Sequence, residues 1–181
     1  TTIVVDTGPD FRYQMLRAGV KKLDAIVYTH PHKDHVAGLD DERAFNYFSQ
    51  KEMQIYANEM TQAVLMREFP YAFQDNKYPG LPEINLNTIA LEPFTVGDIY
   101  IQPIEVWHLK MPVLGFRFGN FTYITDANKI NDDQKELIRG GEALVLNALR
   151  KEKHISHFTL QEAMTLSEEL GNKMNYFTHL S

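Results

Sequence analysis

A chain of 181 residues, 44% hydrophobic and 23% charged, can bury one well-formed core and has the composition of an ordinary globular protein. Its formal net charge of −6 disfavours broad, non-specific binding to a polyanion, and no apolar run approaches the ~20 residues of a membrane span. With no cysteine and no basic-then-apolar leader, neither a disulfide scaffold nor thiolate ligation is expected, and a cytoplasmic protein without membrane contact is.

The chain opens on a β-branched run, Thr2 to Val5, that passes into Asp6-Thr7-Gly8-Pro9, which predicts a strand leading into a turn with a carboxylate at its exit. A short helix from Asp10 to Ala18 is expected to use Phe11, Met15 and Leu16 and to stop at Gly19. Asp24 to Thr29 reads as a second strand. After Gly38-Leu39-Asp40 comes a helix through Ala44, Phe45, Tyr47 and Phe48. Met53 to Tyr56 is a short strand, and Asn58 is placed to cap a helix carrying Met60, Ala63, Val64, Leu65 and Phe69.

Pro70 to Pro82 lacks periodicity and predicts a long loop, either a lid over a site or a surface excursion. Its aromatics Tyr71, Phe73 and Tyr78, with Phe69 before them, could stack on a ligand or anchor the loop to the core. Strand-like runs follow at Ile84 to Leu91, Ile99 to Trp107, Val113 to Phe118 and Phe121 to Thr125, with Gly119-Asn120 as a hairpin turn. A helix from about Asn131 to Arg139 and the apolar strand Ala143 to Leu146 come next. The amphipathic stretch Thr159 to Leu170 is expected to turn Leu160, Ala163, Met164, Leu166 and Leu170 to the core and to end at Gly171, before a last strand, Asn175 to Thr178. Strands at both ends of the chain suggest a fragment of a longer protein. The order of elements predicts one α/β domain with mixed sheets.

The chemistry concentrates in Tyr28-Thr29-His30-Pro31-His32-Lys33-Asp34-His35, where four metal-capable side chains fall within six residues. Alternation along extended backbone puts His30 and His32 on one side, able to grip one ion, and Asp34 and His35 follow where the chain must turn. Three further donors stand where predicted strands end: His108 after Trp107, Asp126 after Thr125, and His179 after Thr178. Strand ends gathered on one sheet edge are where α/β proteins place their sites. Together these seven nitrogen and oxygen donors suffice for two ions sharing a carboxylate; imidazole suits zinc, iron, nickel or copper, and carboxylate adds tolerance for manganese.

These motifs, in this order, resemble those of the metallo-β-lactamase superfamily across nearly the whole chain. Val5-Asp6-Thr7-Gly8 is similar to its first motif, in which the aspartate orients the histidine loop. Ser156-His157-Phe158-Thr159-Leu160 and the closing Thr178-His179-Leu180-Ser181 resemble two branches, the PhnP-like cyclic phosphodiesterases of phosphonate breakdown and the tRNA 3′-end processing endonucleases. The resemblance implies a four-layer αββα sandwich, with the N-terminal strands of the first sheet lying outside this chain, and a single hydrolase domain over residues 1–181 incomplete at both ends. It implies that His30, His32 and His108 hold one divalent ion, that Asp34, His35 and His179 hold the other, and that Asp126 bridges them. Asp6 would then support the ligands from behind.

His157 matches the family's additional histidine, which contacts the scissile phosphate or donates a proton; His154, three residues earlier, is the competing candidate. His157 and Asp34 are the expected catalytic residues. The expected activity is hydrolysis of a small or cyclic phosphodiester by a hydroxide held between two ions, zinc before manganese or iron. The alternatives are tRNA 3′-end-like RNA processing, lactone or thioester hydrolysis, and a non-catalytic metal-binding module. The charge of −6 and the lack of an inserted basic, glycine-rich arm disfavour nucleic acid as partner, and a homodimer is a further expectation.

Overall fold

Short aliphatic and β-branched runs form ten strands among the described residues, and the helices between them set which strand ends share an edge. The computed structural model describes residues 1–74 and 78–181. Contacts divide the chain into two units, Thr1–Ala90 and Leu91–Ser181, each with its own sheet and hydrophobic cluster.

In the first unit, β1 (Ile3–Val5), β2 (Ala25–Val27), β3 (Met53–Ala57) and β4 (Ile84–Thr88) pair in that order, all parallel. Parallel strands need crossovers, which are supplied by α1 (Phe11–Ala18), the short α2 (Lys33–Val36) with α3 (Arg43–Ser49), and α4 (Glu59–Glu68). Ala25, Ile26 and Val27 are all fully buried, the continuous apolar run expected of a parallel strand. Ile26 packs in one hydrophobic cluster with Phe11, Tyr28, Leu39, Ile55 and Leu65, among others. Because the strands run together, Asp6 after β1 and the His30 segment after β2 leave from the same edge.

Three details differ from expectation. The helix after Gly38 begins as a 3₁₀ turn, Leu39–Glu42, and turns α-helical from Arg43. Leu16 points outward, so α1 buries chiefly Phe11. The proline-rich stretch starts with a 3₁₀ turn, Pro70–Phe73, packed on the core: Phe69 is buried, Tyr71 and Phe73 partly so, and the Tyr71 hydroxyl donates to Asp40 Oδ1 at 2.9 Å. Burial and that bond push the Tyr71 pKa up to about 12. These aromatics anchor the segment; Tyr78 is exposed, and residues 75–77 of the loop lie outside the described residues.

In the second unit the sheet order is β10-β9-β8-β7-β6-β5, comprising β5 (Phe94–Val96), β6 (Ile99–His108), β7 (Met111–Phe118), β8 (Phe121–Ile124), β9 (Ala143–Asn147) and β10 (Met174–Thr178). Strands β5 to β8 form an antiparallel meander, whereas β8, β9 and β10 are parallel through α5 (Asp132–Ile138) and α6 (Leu160–Leu170). Two antiparallel steps restore direction, so β6, β8 and β10 point the same way. Their C-terminal ends, carrying His108, Asp126 and His179, therefore share one edge. The strand β5 was not expected; its Phe94-Thr95-Val96 pairs back across the Gly97-Asp98 turn, with Gly97 at φ 58°.

Helix α6 has Thr159 as N-cap, whose hydroxyl accepts from the Glu162 N–H while the Glu162 carboxylate accepts from the Thr159 N–H. Its buried stripe is Ala163, Leu166, Ser167 and Leu170, spaced i, i+3, i+4, i+7. Met164, expected inside, is 42% exposed, because one residue on from Ala163 turns it about 100° off that stripe.

Close backbone approach holds the β1 turn against the histidine segment. Thr7 N–H donates to His35 O at 2.7 Å and Gly38 N–H to Thr7 O at 2.8 Å. A Cβ on Gly38 would overlap the Gly8 carbonyl oxygen and stand 2.7 Å from Phe11 Cβ, so there is room only for hydrogen. Gly38→Ala is expected to cost about 1–3 kcal/mol, read as a lower midpoint in chemical denaturation; an unchanged midpoint would show that the two turns can separate freely.

Candidate metal centre

In the first unit the site is built round the Asp6 carboxylate. Asp6 follows β1 with φ 60°, a left-handed conformation uncommon for a non-glycine residue, and is 9% exposed. Its Oδ1 accepts the Thr29 N–H at 2.8 Å; its Oδ2 accepts the Thr29 hydroxyl at 2.7 Å and lies 2.7 Å from His35 Nδ1. An ionised carboxylate can only accept, so the His35 proton sits on Nδ1 and its Nε2 keeps a lone pair. Thr29 has spent its hydroxyl proton on Asp6, so its Oγ1, 2.9 Å from His30 Nδ1, accepts there. His30 is thereby set to the same tautomer. One carboxylate thus orients one histidine directly and a second through a fully buried threonine.

The rings of His30 and His32 have centroids 4.7 Å apart, and those of His30 and His35 lie 4.1 Å apart. His32 is extended (φ −64°, ψ 149°) and begins α2, so Asp34 and His35 stand on that short helix. His35 Nε2 and Asp34 Oδ2 are 3.5 Å apart. Two donors on a tetrahedral coordination sphere of ~2.0–2.2 Å are separated by about 3.3–3.6 Å. The Asp34 side chain is more than half exposed, unlike the buried His30 and His35.

In the second unit, Asp126 follows β8 in left-handed backbone (φ 53°) and His179 follows β10 likewise (φ 59°). Asp126 is 2% exposed; its Oδ1 accepts the Thr125 hydroxyl at 2.7 Å and lies 3.2 Å from His179 Nδ1. Its Oδ2 is 3.3 Å from His157 Nε2. His108 Nδ1 stands 2.9 Å from the Ser156 carbonyl oxygen, which can only accept, so His108 too presents an unprotonated Nε2. His108, Asp126 and His157 offer ligand atoms within 4.8 Å of one another. His157 is 8% exposed, and its ring stacks on His179 at 5.0 Å. Burial pushes its pKa down, Asp126 opposes this, and His108 and His179 reinforce it.

Supports for these donors include residues not picked out from the sequence. Asn147, at the end of β9 and fully buried, accepts the Ala127 N–H at 2.9 Å and donates to the Ala127 carbonyl at 3.0 Å, clamping the chain just beyond Asp126. Ala127 O also accepts the Phe158 N–H, and Asn128 donates to Ile155 O at 3.1 Å, so the 155–158 segment is held beside β8. The available signals were weak: an amide closing the apolar run Ala143-Leu144-Val145-Leu146, and a threonine between Tyr28 and His30.

Each of the two units therefore carries a set of expected donors on one sheet edge, His30, His32, Asp34 and His35 in one and His108, Asp126 and His179 in the other. His30, His35 and His108 hold Nδ1–H on an oxygen and leave the Nε2 lone pair for ligation, the protonation that divalent-metal binding requires. The donor chemistry fits zinc or a similar ion. The sequence model of the Beta-lactamase superfamily domain matches residues 1–180. The chain belongs to this family.

Its two sheets are those of the metallo-β-lactamase fold. A crystal structure of a diphosphatase from the PhnP family is 39% identical, with a TM-score of 0.91 over 99% of this chain and 68% of that one. Among curated relatives, a protein named octanoyltransferase from Porphyromonas gingivalis is 35% identical over 99% of this chain but 36% of its own length. The exodeoxyribonuclease WalJ of Streptococcus pneumoniae is 27% identical over 70% of this chain and 44% of its own. The chain thus spans about a third to a half of the curated relatives it matches. No helix among the described residues is long and apolar enough to cross a membrane.

Support of ligating histidines by buried carboxylates governs metal affinity in such domains. Asp6→Ala is expected to weaken metal binding roughly 10–100-fold in a competition titration, with the far-ultraviolet spectrum unchanged. Full affinity in that variant would mean the Asp6 network does not serve the ligands.

Proposed function

We propose that the two donor sets act together as a dinuclear centre hydrolysing a small phosphodiester or a related phosphate ester. In this reading His30, His32 and His108 hold one ion, Asp34, His35 and His179 the other, and Asp126 bridges them, with zinc favoured over manganese or iron. The ions would supply a nucleophile at neutral pH and neutralise charge building on the phosphate. The observation that carries the reading is His157: a buried imidazole outside the ligand set, whose Nε2 lies 3.3 Å from the proposed bridging carboxylate. Likeness to the PhnP-family diphosphatase across 99% of the chain supports phosphate as the group attacked.

The chain's own residues divide the work. His157 gives its Nε2 proton to the departing alkoxide, a poor leaving group for which a positioned acid is worth roughly 10²–10⁴-fold. Asp34, the most solvent-exposed of the carboxylates, takes up the proton of the attacking water. Asp6 and Thr29 keep His30 and His35 in the ligating tautomer. Burial of Asp126 and His157 excludes bulk water from the proton-transfer path.

A second reading, cleavage of nucleic acid, is favoured by the likeness to an exodeoxyribonuclease and opposed by the net charge of −6. A panel of bis-aryl phosphates, ribose cyclic phosphates, diphosphates and short RNA and DNA strands, with metals counted, separates the two. Turnover confined to the small substrates supports the first; preference for the strands replaces it.

His157→Ala is expected to lower kcat by roughly 10²–10⁴-fold while metal content stays near two ions per chain. Loss of an ion in that variant would make His157 a ligand and overturn its role as acid.

A further inference from the structure

Two-residue turns join the antiparallel strands of the second unit: Gly97-Asp98 between β5 and β6, Leu109-Lys110 between β6 and β7, and Gly119-Asn120 between β7 and β8. Each has positive φ at its first residue, 58° at Gly97, 59° at Leu109 and 58° at Gly119. Glycine takes that conformation readily, whereas the Cβ of any other residue crowds the backbone there. The two glycine turns lie at the edge away from the donors. The turn on the donor edge, directly after His108, carries a leucine that is 52% exposed.

Strain of this kind gathers where a side chain is used, and an exposed leucine gains little burial in return for it. A second exposed apolar residue stands beside the same donors. Ile155 is 72% exposed and precedes Ser156, whose carbonyl oxygen lies 2.9 Å from His108 Nδ1 and whose hydroxyl oxygen lies 3.0 Å from His157 Nδ1. One side chain ties the two together. Asn128 Oδ1 accepts the Leu109 N–H at 2.8 Å, and Asn128 Nδ2 donates to the Ile155 carbonyl at 3.1 Å. Asn128 is itself fixed, its N–H donating to the Trp107 carbonyl at 2.8 Å. Leu109, Asn128 and Ile155 thus stand within two residues of His108, Asp126 and His157.

We infer that Leu109 and Ile155 form an apolar clasp at the donor edge that grips a planar ring of the substrate, so that the phosphate ester taken here carries a nucleobase or an aryl group. This rests on the reading of the site as a phosphate-ester hydrolase and names its substrate class. Branched aliphatic side chains bury area against the flat faces of a ring and leave its polar rim in water. The Asn128 carboxamide holds the two backbones at a fixed spacing, which suits a thin, rigid group. A leucine where glycine would be unstrained exchanges stability for contact.

The test is calorimetric titration of the zinc-loaded, full-length protein with two pairs of ligands that share a phosphate and differ in the ring: adenosine monophosphate against ribose 5-phosphate, and phenyl phosphate against ethyl phosphate. Wild type should bind the ring-bearing member about 5–50-fold more tightly in at least one pair, and the pair that discriminates names the ring. In Leu109→Gly and in Ile155→Ser that preference should fall roughly threefold or more, while the ringless ligands bind as before. Equal binding of both members by wild type overturns the inference. So does an equal loss of both in the variants, which would place these residues in the support of the phosphate.

Stability supplies a second readout. Leu109→Gly relieves the crowded backbone and should unfold at the wild-type Tm or above it. A Tm lowered by more than about 4 °C would make Leu109 a packing residue and overturn the inference. If wild type turns over no phosphate ester, the proposed activity fails, while the titrations still decide whether a ring is gripped.

Discussion

A buried carboxylate that can only accept hydrogen bonds is the constraint from which the donor set of the first unit follows. Asp6 takes the Thr29 N–H, the Thr29 hydroxyl and His35 Nδ1 on two oxygens, which ties the end of β1 to the end of β2 and to α2. Each neighbour must donate, so every proton position around it is determined. The left-handed backbone at Asp6 swings the carboxylate back over the neighbouring strand, and strain of that kind, on the order of 1–3 kcal/mol, persists where the surroundings over-determine it. Here they do: the Thr7 and Gly38 amides lock the same turn onto the histidine segment.

The second unit reaches a comparable arrangement by different means. Two antiparallel steps separate β6 from β8 and two parallel steps separate β8 from β10, so three strands of one sheet end on the same edge. Asp126 and His179 both adopt left-handed backbone directly beyond their strands. The strand places the residue, and the reversed φ redirects its side chain. Asn147 then does with a carboxamide what a strand cannot do beyond its end, making both backbone hydrogen bonds to Ala127.

Much of this was legible in the residues themselves. The strand and helix order, the capping by Asn58 and Thr159, and the placing of the donors at strand ends follow from patterns that act locally. The misses have physical causes. Phe94-Thr95-Val96 is three residues long, too short for alternation to register, and becomes a strand only by pairing with β6. Leu16 and Met164 are apolar but lie off the buried stripes of their helices, and in α6 Ser167 is buried instead. The roles of Thr29, Asn147 and Ser156 depend on partners distant in sequence or on hydrogen positions, and neither leaves a mark in composition or period.

The two contacts of Ser156 differ in how they can be lost. The bond to His108 is made by a main-chain carbonyl, which every substitution retains; the bond to His157 is made by a single side-chain oxygen. The His108 contact therefore survives sequence drift at this position, while the His157 contact hangs on one atom. A gene copy could shed the second and keep the first in one step. The backbone contact to His108 would then be unchanged, while the His157 ring lost one of its restraints.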